Sequence, residues 1–337
     1  MSTLGVLRLE GSPAARVAAA SRGALDRRLE HDAELLLATL EDDAVVLGAL
    51  QRASELGEAD DPSRALLRRG SCGAEVTVGP GSLWVQLALI RSDALVRCEP
   101  SRLLNRHVRP LLRALTKVGA LAHYFDRDWI SAGRRPVAMI AFGHDVASGR
   151  ALVEAVIAVR TPFALRMRPS YLGKAPATLA DVGAAVELPR LCDAIIEAYA
   201  AAYGRTIVDG PALAPSRARS GAAGGDARRD PRAEPAWAST RSEAIGLVGA
   251  GLDREGRMRV GGELMVSRDA VTSLEARLAG PDGIDAAAIA RAVDETLGAP
   301  DVALVGVRSL TSVRDVLVEA SGGRRPEDDD EGRPKAQ

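Results

Sequence analysis

The residues best suited to chemistry lie in one stretch, residues 66–90, which reads LLRRGSCGAEVTVGPGSLWVQLALI. Arg68 and Arg69 supply two guanidinium charges, while Gly70, Gly73, Gly79 and Gly81 permit positive φ and close backbone approach. Main-chain amides in such a loop can face a phosphate, with the arginines neutralising it. The same residues also read as a tight β-hairpin with glycines in its turns. Cys72, the one cysteine inside the stretch, would need a base to become a nucleophile, and no histidine is obviously paired with it; a small buried cysteine is the simpler reading. His123 and His144 read as loop or strand-end residues, and no Cys/His cluster has the spacing of a metal site, so no metal ligands are expected.

The rest of the composition narrows the class. A chain of 337 residues that is 47% hydrophobic can bury one large core or two ordinary ones. Its 44 basic and 45 acidic residues leave a net charge of -1, so nothing global draws it to nucleic acid or a lipid surface, and neither is expected as a partner. Cys72, Cys98 and Cys192 are odd in number and widely spaced, which fits a reduced, cytoplasmic setting. The first residues, MSTLGVLRLEGSPAAR, place Arg8 and Glu10 inside the only apolar run, too short for the core of a signal peptide, and no segment is long enough to span a membrane.

The elements that must position the loop follow from periodicity. Residues 5–9 alternate as a strand, and Ser12-Pro13 is a helix start, with a helix expected to about His31. Short apolar runs at 34–40 and 44–50, split by Glu41, Asp42 and Asp43, read as two strands, and 66–69, 75–78 and 83–90 as three more. An amphipathic helix is expected over 100–118, with Leu103, Leu104, Val108, Leu111, Leu112 and Leu115 inward and His107 on the polar side. Strands follow at 120–125, 129–131, 136–142 and 151–159, then a helix over 179–204 that ends at a glycine. From Thr206 to Thr240 the texture turns to Pro, Gly, Arg and Ala, which reads as a flexible linker with Trp237 as a docking exception. A hairpin at 244–266 and helices at 269–278, 285–297 and 310–320 make a small α+β module, and the charged tail 321–337 is expected to be disordered.

Several of these segments together resemble the lipoate-protein ligases and the related octanoyltransferases, whose catalytic domain is shared with the biotin ligases. Arg68-Arg69-Gly70-Ser71-Cys72-Gly73-Ala74-Glu75-Val76 stands where that family has an arginine, a serine and a run of glycines, and residues 44–51 resemble its preceding strand. Val78-Gly79-Pro80-Gly81-Ser82 is similar to the octanoyltransferase form. Tyr124-Phe125-Asp126-Arg127-Asp128-Trp129-Ile130 with Gly133-Arg134-Arg135 resembles the segments that bracket the family's adenylate. Residues 257–264 and 271–278 look like the accessory domain of the ATP-using ligases, which octanoyltransferases lack.

The resemblance implies an α+β fold, a mixed or antiparallel sheet with flanking helices followed by a small α+β accessory domain. Its domains would be a catalytic domain at 1–205, a linker at 206–240, the accessory domain at 241–320 and the tail. It implies ATP and magnesium as cofactors, lipoate or octanoate as the acid, and a lipoyl-carrier domain of the 2-oxoacid dehydrogenase or glycine-cleavage type as partner. Arg135 takes the catalytic lysine's position; Arg68, Arg69, Ser71, Gly73, Gly79, Gly81 and Asp128 would hold the adenylate, and Val76, Val78, Leu83 and Val85 would line an acyl pocket. Arginine lacks the compact point charge of lysine, and Cys72, Ala74 and Glu75 interrupt the glycine run, Glu75 with a carboxylate. These departures leave a noncatalytic binder of an acyl group or carrier domain as the alternative to an active ligase. A transferase without ATP is the third, with its nucleophile expected near Arg168-Pro169-Ser170-Tyr171, where serine is a poor substitute for a thiolate.

Overall fold

The computed structural model describes residues 3–56, 64–163, 171–210, 236–279 and 285–322. The first strand, β1 (Thr3–Ser12), is followed by α1 (Ala14–Ala24) and β2 (Ala33–Leu40), a right-sized crossover that leaves β1 and β2 parallel. Helix α1 stops well before His31. Its first turn is capped from outside, by the Asp42 carboxylate accepting the Ala14 amide at 2.6 Å, and the Ser12 hydroxyl makes no cap.

Next come β3 (Ala44–Leu47), β4 (Ala65–Arg68), β5 (Val76–Val78) and β6 (Ser82–Leu89). After α2 (Leu103–Lys117) the chain makes β7 (Ala122–Tyr124), β8 (Trp129–Ala132), β9 (Arg135–His144) and β10 (Ala151–Ala158), then α3 (Leu188–Tyr203) and β11 (Thr206–Asp209). The main sheet has eight strands in the order β11-β1-β2-β6-β10-β9-β8-β7, parallel at β11/β1/β2 and antiparallel beyond. A second sheet, β4-β3-β5, carries the glycine loop between β4 and β5. The expected mixed sheet with flanking helices is the observed fold. The expected linker is corrected at both ends: Thr206–Asp209 is an edge strand paired with β1, and Ser239–Ser242 is a strand of the last lobe, while 211–235 lies outside the described residues.

Strand parity divides the main core. On β6, Leu83, Val85 and Leu87 face α2 and α3, whereas Trp84 faces the second sheet with Val76, Val78, Met139 and Val156. Helix α2 buries Leu103, Leu104, Val108, Leu111 and Leu115 as expected and leaves Leu112 half-buried, but His107 lies on the buried side with no exposure, held by the Tyr203 hydroxyl at 2.9 Å from Nδ1.

The C-terminal lobe has its own core and comprises β12 (Ser239–Ser242), β13 (Leu247–Leu252), β14 (Met258–Gly262), β15 (Met265–Val266), α4 (Arg268–Arg277), α5 (Ala286–Leu297), β16 (Leu304–Val305) and α6 (Leu310–Ala320). The single second strand expected at 257–266 is broken after Gly262, whose φ of +101° turns the chain, so β15 leaves β14 and pairs with β16. Trp237 does dock: it lies against Gly249 and Gly261, where a Cβ would stand 2.5 and 3.1 Å from its ring, and the Arg52 guanidinium stacks 3.5 Å above it.

Candidate active site

Arg69 leaves the end of β4 and turns inward, 3% exposed. Its guanidinium is held by the chain itself: Nε donates to Ser71 Oγ at 2.9 Å, Nη2 to the Ala74 carbonyl at 2.6 Å and Nη1 to the Val46 carbonyl at 3.3 Å. The Ser71 hydroxyl donates to Glu154 Oε2, which also accepts from Ser21 Oγ at 2.8 Å, while Trp84 Nε1 donates to Oε1 at 2.9 Å. Glu154 projects from the middle of β10, 1% exposed. Burial pushes its carboxyl above the usual range, against the lowering influence of Arg69, Ser71, Ser21 and Trp84.

Space beside this cluster is small. The cavity lined by Arg69, Val76, Trp84, Met139, Glu154 and Val156 among its walls has about 10 Å³ free, the threshold for a single water. Of the four expected acyl-pocket residues, Val76 lines it and Val78 packs in the same cluster, but Leu83 and Val85 point through the sheet to the other face because β side chains alternate. Trp84, the residue between them, is the one that fills the space.

The other expected site residues are placed as follows. Arg68 stays outside, its Nη1 donating to the Gly48 carbonyl at 3.0 Å and to that of Gln51. Gly73, with φ +111°, crosses so close to Gly48 that a Cβ on Gly48 would meet the Gly73 oxygen at 1.9 Å. Gly79 and Gly81 build the β5–β6 turn at the far end of the hairpin, where the Gly81 carbonyl accepts the amides of Val159 and Arg160 at 3.1 and 2.9 Å; they do not join the Arg69 cluster. Asp128 is fully buried in β8's approach, its carbonyl accepting the Ile140 amide at 2.7 Å. Arg135 starts β9 just after a two-residue turn in which Gly133 and Arg134 both have positive φ, and it is half-buried. Its guanidinium donates to the carbonyls of Ala175 (3.2 Å) and Pro176 (2.6 Å), so the structure brings Arg69, Ser71 and Val76 together but not Arg135 or Asp128 with them.

Glu75 turns inward too, accepting from Gln51 Nε2 at 2.6 Å, while Gln51 Oε1 takes the Gly48 amide at 2.9 Å. Cys72 is fully buried against the C-terminal lobe, with Sγ 3.6 Å from the Val266 carbonyl and its thiol pushed up to about 11 by burial. Residues 168–170, where a transferase nucleophile was expected, lie outside the described residues. Among the described residues no group of three His, Cys, Asp or Glu side chains is placed to hold a metal ion, and no helix is long and apolar enough to cross a membrane.

The C-terminal lobe closes over the loop. The Met265 side chain lies where a Cβ on Gly73 would be 3.3 Å from it, Ser267 Oγ stands 2.8 Å from His144 Nδ1, and the Asp269 carboxylate accepts the amides of Val146 (3.0 Å) and Ala147 (2.9 Å). Sequence reasoning missed Glu154, Ser21 and Trp84. Glu154 had a readable signal, a lone charge inside the apolar run ALVEAVIA, which a strand buried on both faces tolerates only with partners.

No family model and no curated protein sequence matches the chain. Among solved structures, LipL1 of P. falciparum in complex with lipoate aligns over 94% of this chain and 99% of its own, at 11% identity and a TM-score of 0.59. A bipartite lipoate protein ligase from Thermoplasma acidophilum, described with its E2 lipoyl domain, aligns over 62% of this chain and 87% of its own, at 16% identity and a TM-score of 0.51. The eight-stranded mixed sheet with its flanking helices, smaller sheets and appended lobe has the lipoate-ligase fold of these structures.

Proposed function

We propose that this chain is a lipoate-ligase-like protein that binds a lipoyl-carrier domain, of the 2-oxoacid dehydrogenase or glycine-cleavage type, without adenylating an acid. One observation carries the reading: Arg69 is bonded through the Ser71 hydroxyl to the chain's own buried Glu154, which stands in the same cavity wall. The residues present do not fit ATP with magnesium. Arg69 is committed to Ser71 and the carbonyls of Val46, Cys72 and Ala74, Glu75 and Glu154 add buried carboxylates where a phosphate would need positive charge, and Met265 covers Gly73. Room for a lipoyl or octanoyl chain is absent beside Val76, where Trp84 and Met139 leave space for one water at most. In this reading the chain through β11 keeps the docking frame of a ligase catalytic domain, and residues 236–322 are its accessory domain. Arg135, tied to the carbonyls of Ala175 and Pro176, serves the strand end and no reacting group.

An ATP-dependent ligase is the second reading, favoured by the seam between the lobes. The seam's hydrogen bonds at Ser267 and Asp269 are replaceable by water, and their release would uncover Gly73 and Ser71. The two readings separate when the purified chain is mixed with ATP, magnesium, lipoate or octanoate and an unmodified carrier domain. The expected outcome is a complex detectable by calorimetry with no pyrophosphate release and no gain of an acyl group by mass spectrometry. Acylation of the carrier lysine would overturn the noncatalytic reading, and silence in calorimetry would remove the carrier domain as partner.

A further inference from the structure

Arg102, the residue before α2, and Arg106, Arg109 and Arg113 on the helix are exposed to solvent along one stripe. The first three form one wall of a cleft of about 530 Å³, and Arg308 of the C-terminal lobe contributes from the opposite wall beside Leu304, Val305 and Val307. The cleft lies on the α2 side of the eight-stranded sheet, across the sheet from Glu154 and Trp84, and it is therefore separate from the site described above.

The charges facing it can be counted. Arg102 is 3.2 Å from Glu99 in a solvent-exposed pair, and Arg109 Nε donates to Asn105 at 3.3 Å. Asp126 accepts from Asn105 Nδ2 at 2.8 Å, and Glu243 accepts the Arg308 amide at 3.1 Å. The guanidinium groups of Arg106 and Arg308 make no hydrogen bond or ion pair among the described residues. Arg127 adds a further positive charge at the rim, donating to the carbonyl of Ala244, which lines the cleft. Among the described residues, four arginines and one carboxylate, Asp126, line the cleft, and Arg106 and Arg308, which come from different lobes, are the uncommitted two.

We propose that this cleft binds a phosphate ester carrying an apolar or aromatic group, and that the ligand bridges the two lobes. Guanidinium forks match phosphate oxygens in pairs, and Arg106 and Arg308 bring two such forks to the same cleft from different lobes. The apolar patch of Leu304, Val305 and Val307 next to them asks for a nonpolar portion on the same molecule. A free inorganic anion would leave that patch wet, and a purely apolar ligand would leave the guanidinium groups without a counter-charge. Because the walls belong to different lobes, the bound ester would favour their docked arrangement.

Calorimetric titration of the full chain with ADP, with octyl phosphate and with inorganic pyrophosphate tests this. Saturable binding of ADP or octyl phosphate is expected, tighter than pyrophosphate and weakened at least about tenfold in the double variant Arg106→Ala/Arg308→Ala. The ester that binds should raise the thermal midpoint of the wild type and not that of the double variant, both substituted residues being exposed. The tighter of ADP and octyl phosphate identifies the nonpolar portion as a nucleoside or an alkyl chain. No saturable binding of either ester, an unchanged affinity in the double variant, or pyrophosphate binding as tightly as the esters would each overturn the proposal.

Discussion

Glu154 sits at the middle of β10, whose other seven residues are apolar, and collects three side-chain donors, with Arg69 close enough to oppose the rise that burial causes in its pKa. A buried carboxylate so equipped cannot be removed quietly. Glu154→Leu strands the Arg69 charge in the interior and is expected to cost about 3–5 kcal/mol, whereas Glu154→Gln keeps acceptor capacity and should cost about 1–3 kcal/mol. Urea unfolding of the two variants measures this, and equal losses would argue that the charge itself is irrelevant. His107 gives a pH signature. Its ring is buried between Tyr203 and the α2–α3 core, and desolvation pushes its pKa from 6.5 down to about 4. The unfolded chain therefore takes up the proton first: the contribution to stability is complete above pH 6.5 and is lost as pH falls toward 4, reaching about 3 kcal/mol below that. Comparing wild type with His107→Leu cancels the carboxylates and His144, and the wild type should lose more stability between pH 7 and pH 4. Identical pH dependence in the two would remove His107 as the cause.

Among the elements, β15 packs on the glycine loop through Met265 and Val266, and the first turn of α4 follows it. Asp269 lies in that first turn, and its carboxylate reaches across to cap the amides of Val146 and Ala147 at the end of β9. Asp269→Ala should weaken lobe docking by about 1–2 kcal/mol while leaving each lobe's own core intact. Cys72 reports the opening. In the wild type its thiol is buried under Val266 and pushed up to about 11, so alkylation at pH 8 is slow. In Asp269→Ala the rate at Cys72 should rise several-fold relative to Cys192, whose thiol burial also pushes up to about 11 but which sits on α3, away from the seam. Mass spectrometry of the alkylated peptides checks this, and an unchanged ratio would show that the seam does not depend on Asp269.

For the whole molecule, the question is whether the two lobes ever separate in the presence of ligase substrates. The N-terminal lobe meets the C-terminal one through Leu50, Arg52, Cys72, Arg127, His144 and the 146–147 amides, so closure depends on several small contacts that share one geometry. In the noncatalytic reading, lipoate has no room beside Val76 and ATP meets the Glu75 and Glu154 carboxylates at the glycine loop, so neither parts the lobes and small-angle scattering of the chain stays unchanged on adding them. A ligase would respond with a change in the scattering curve, because its substrates must reach Gly73 and Ser71 beneath Met265.

Periodicity and local chemistry already determined most elements: the α2 stripe, the glycine end of α3, the three helices of the last lobe and the strands around the loop were legible because short-range pattern and turn residues dictate them. The order of the glycine loop, the segment around Asp128 and the C-terminal module also pointed to the ligase fold. What the loop does was not legible. Whether Arg69 faces a ligand or a carboxylate depends on Glu154, 85 positions further along the chain (69 to 154) and in a different sheet, and such long-range pairing leaves no local signature. The same reason hid the split of Leu83 and Val85 from Val76, since the faces of β6 acquire meaning only when sheets and helices are stacked on them. His107 was misplaced on its helix because α3 covers a flank that the α2 sequence alone presents as polar. Residue types thus decided which elements form, and tertiary packing decided which charges those elements bring face to face.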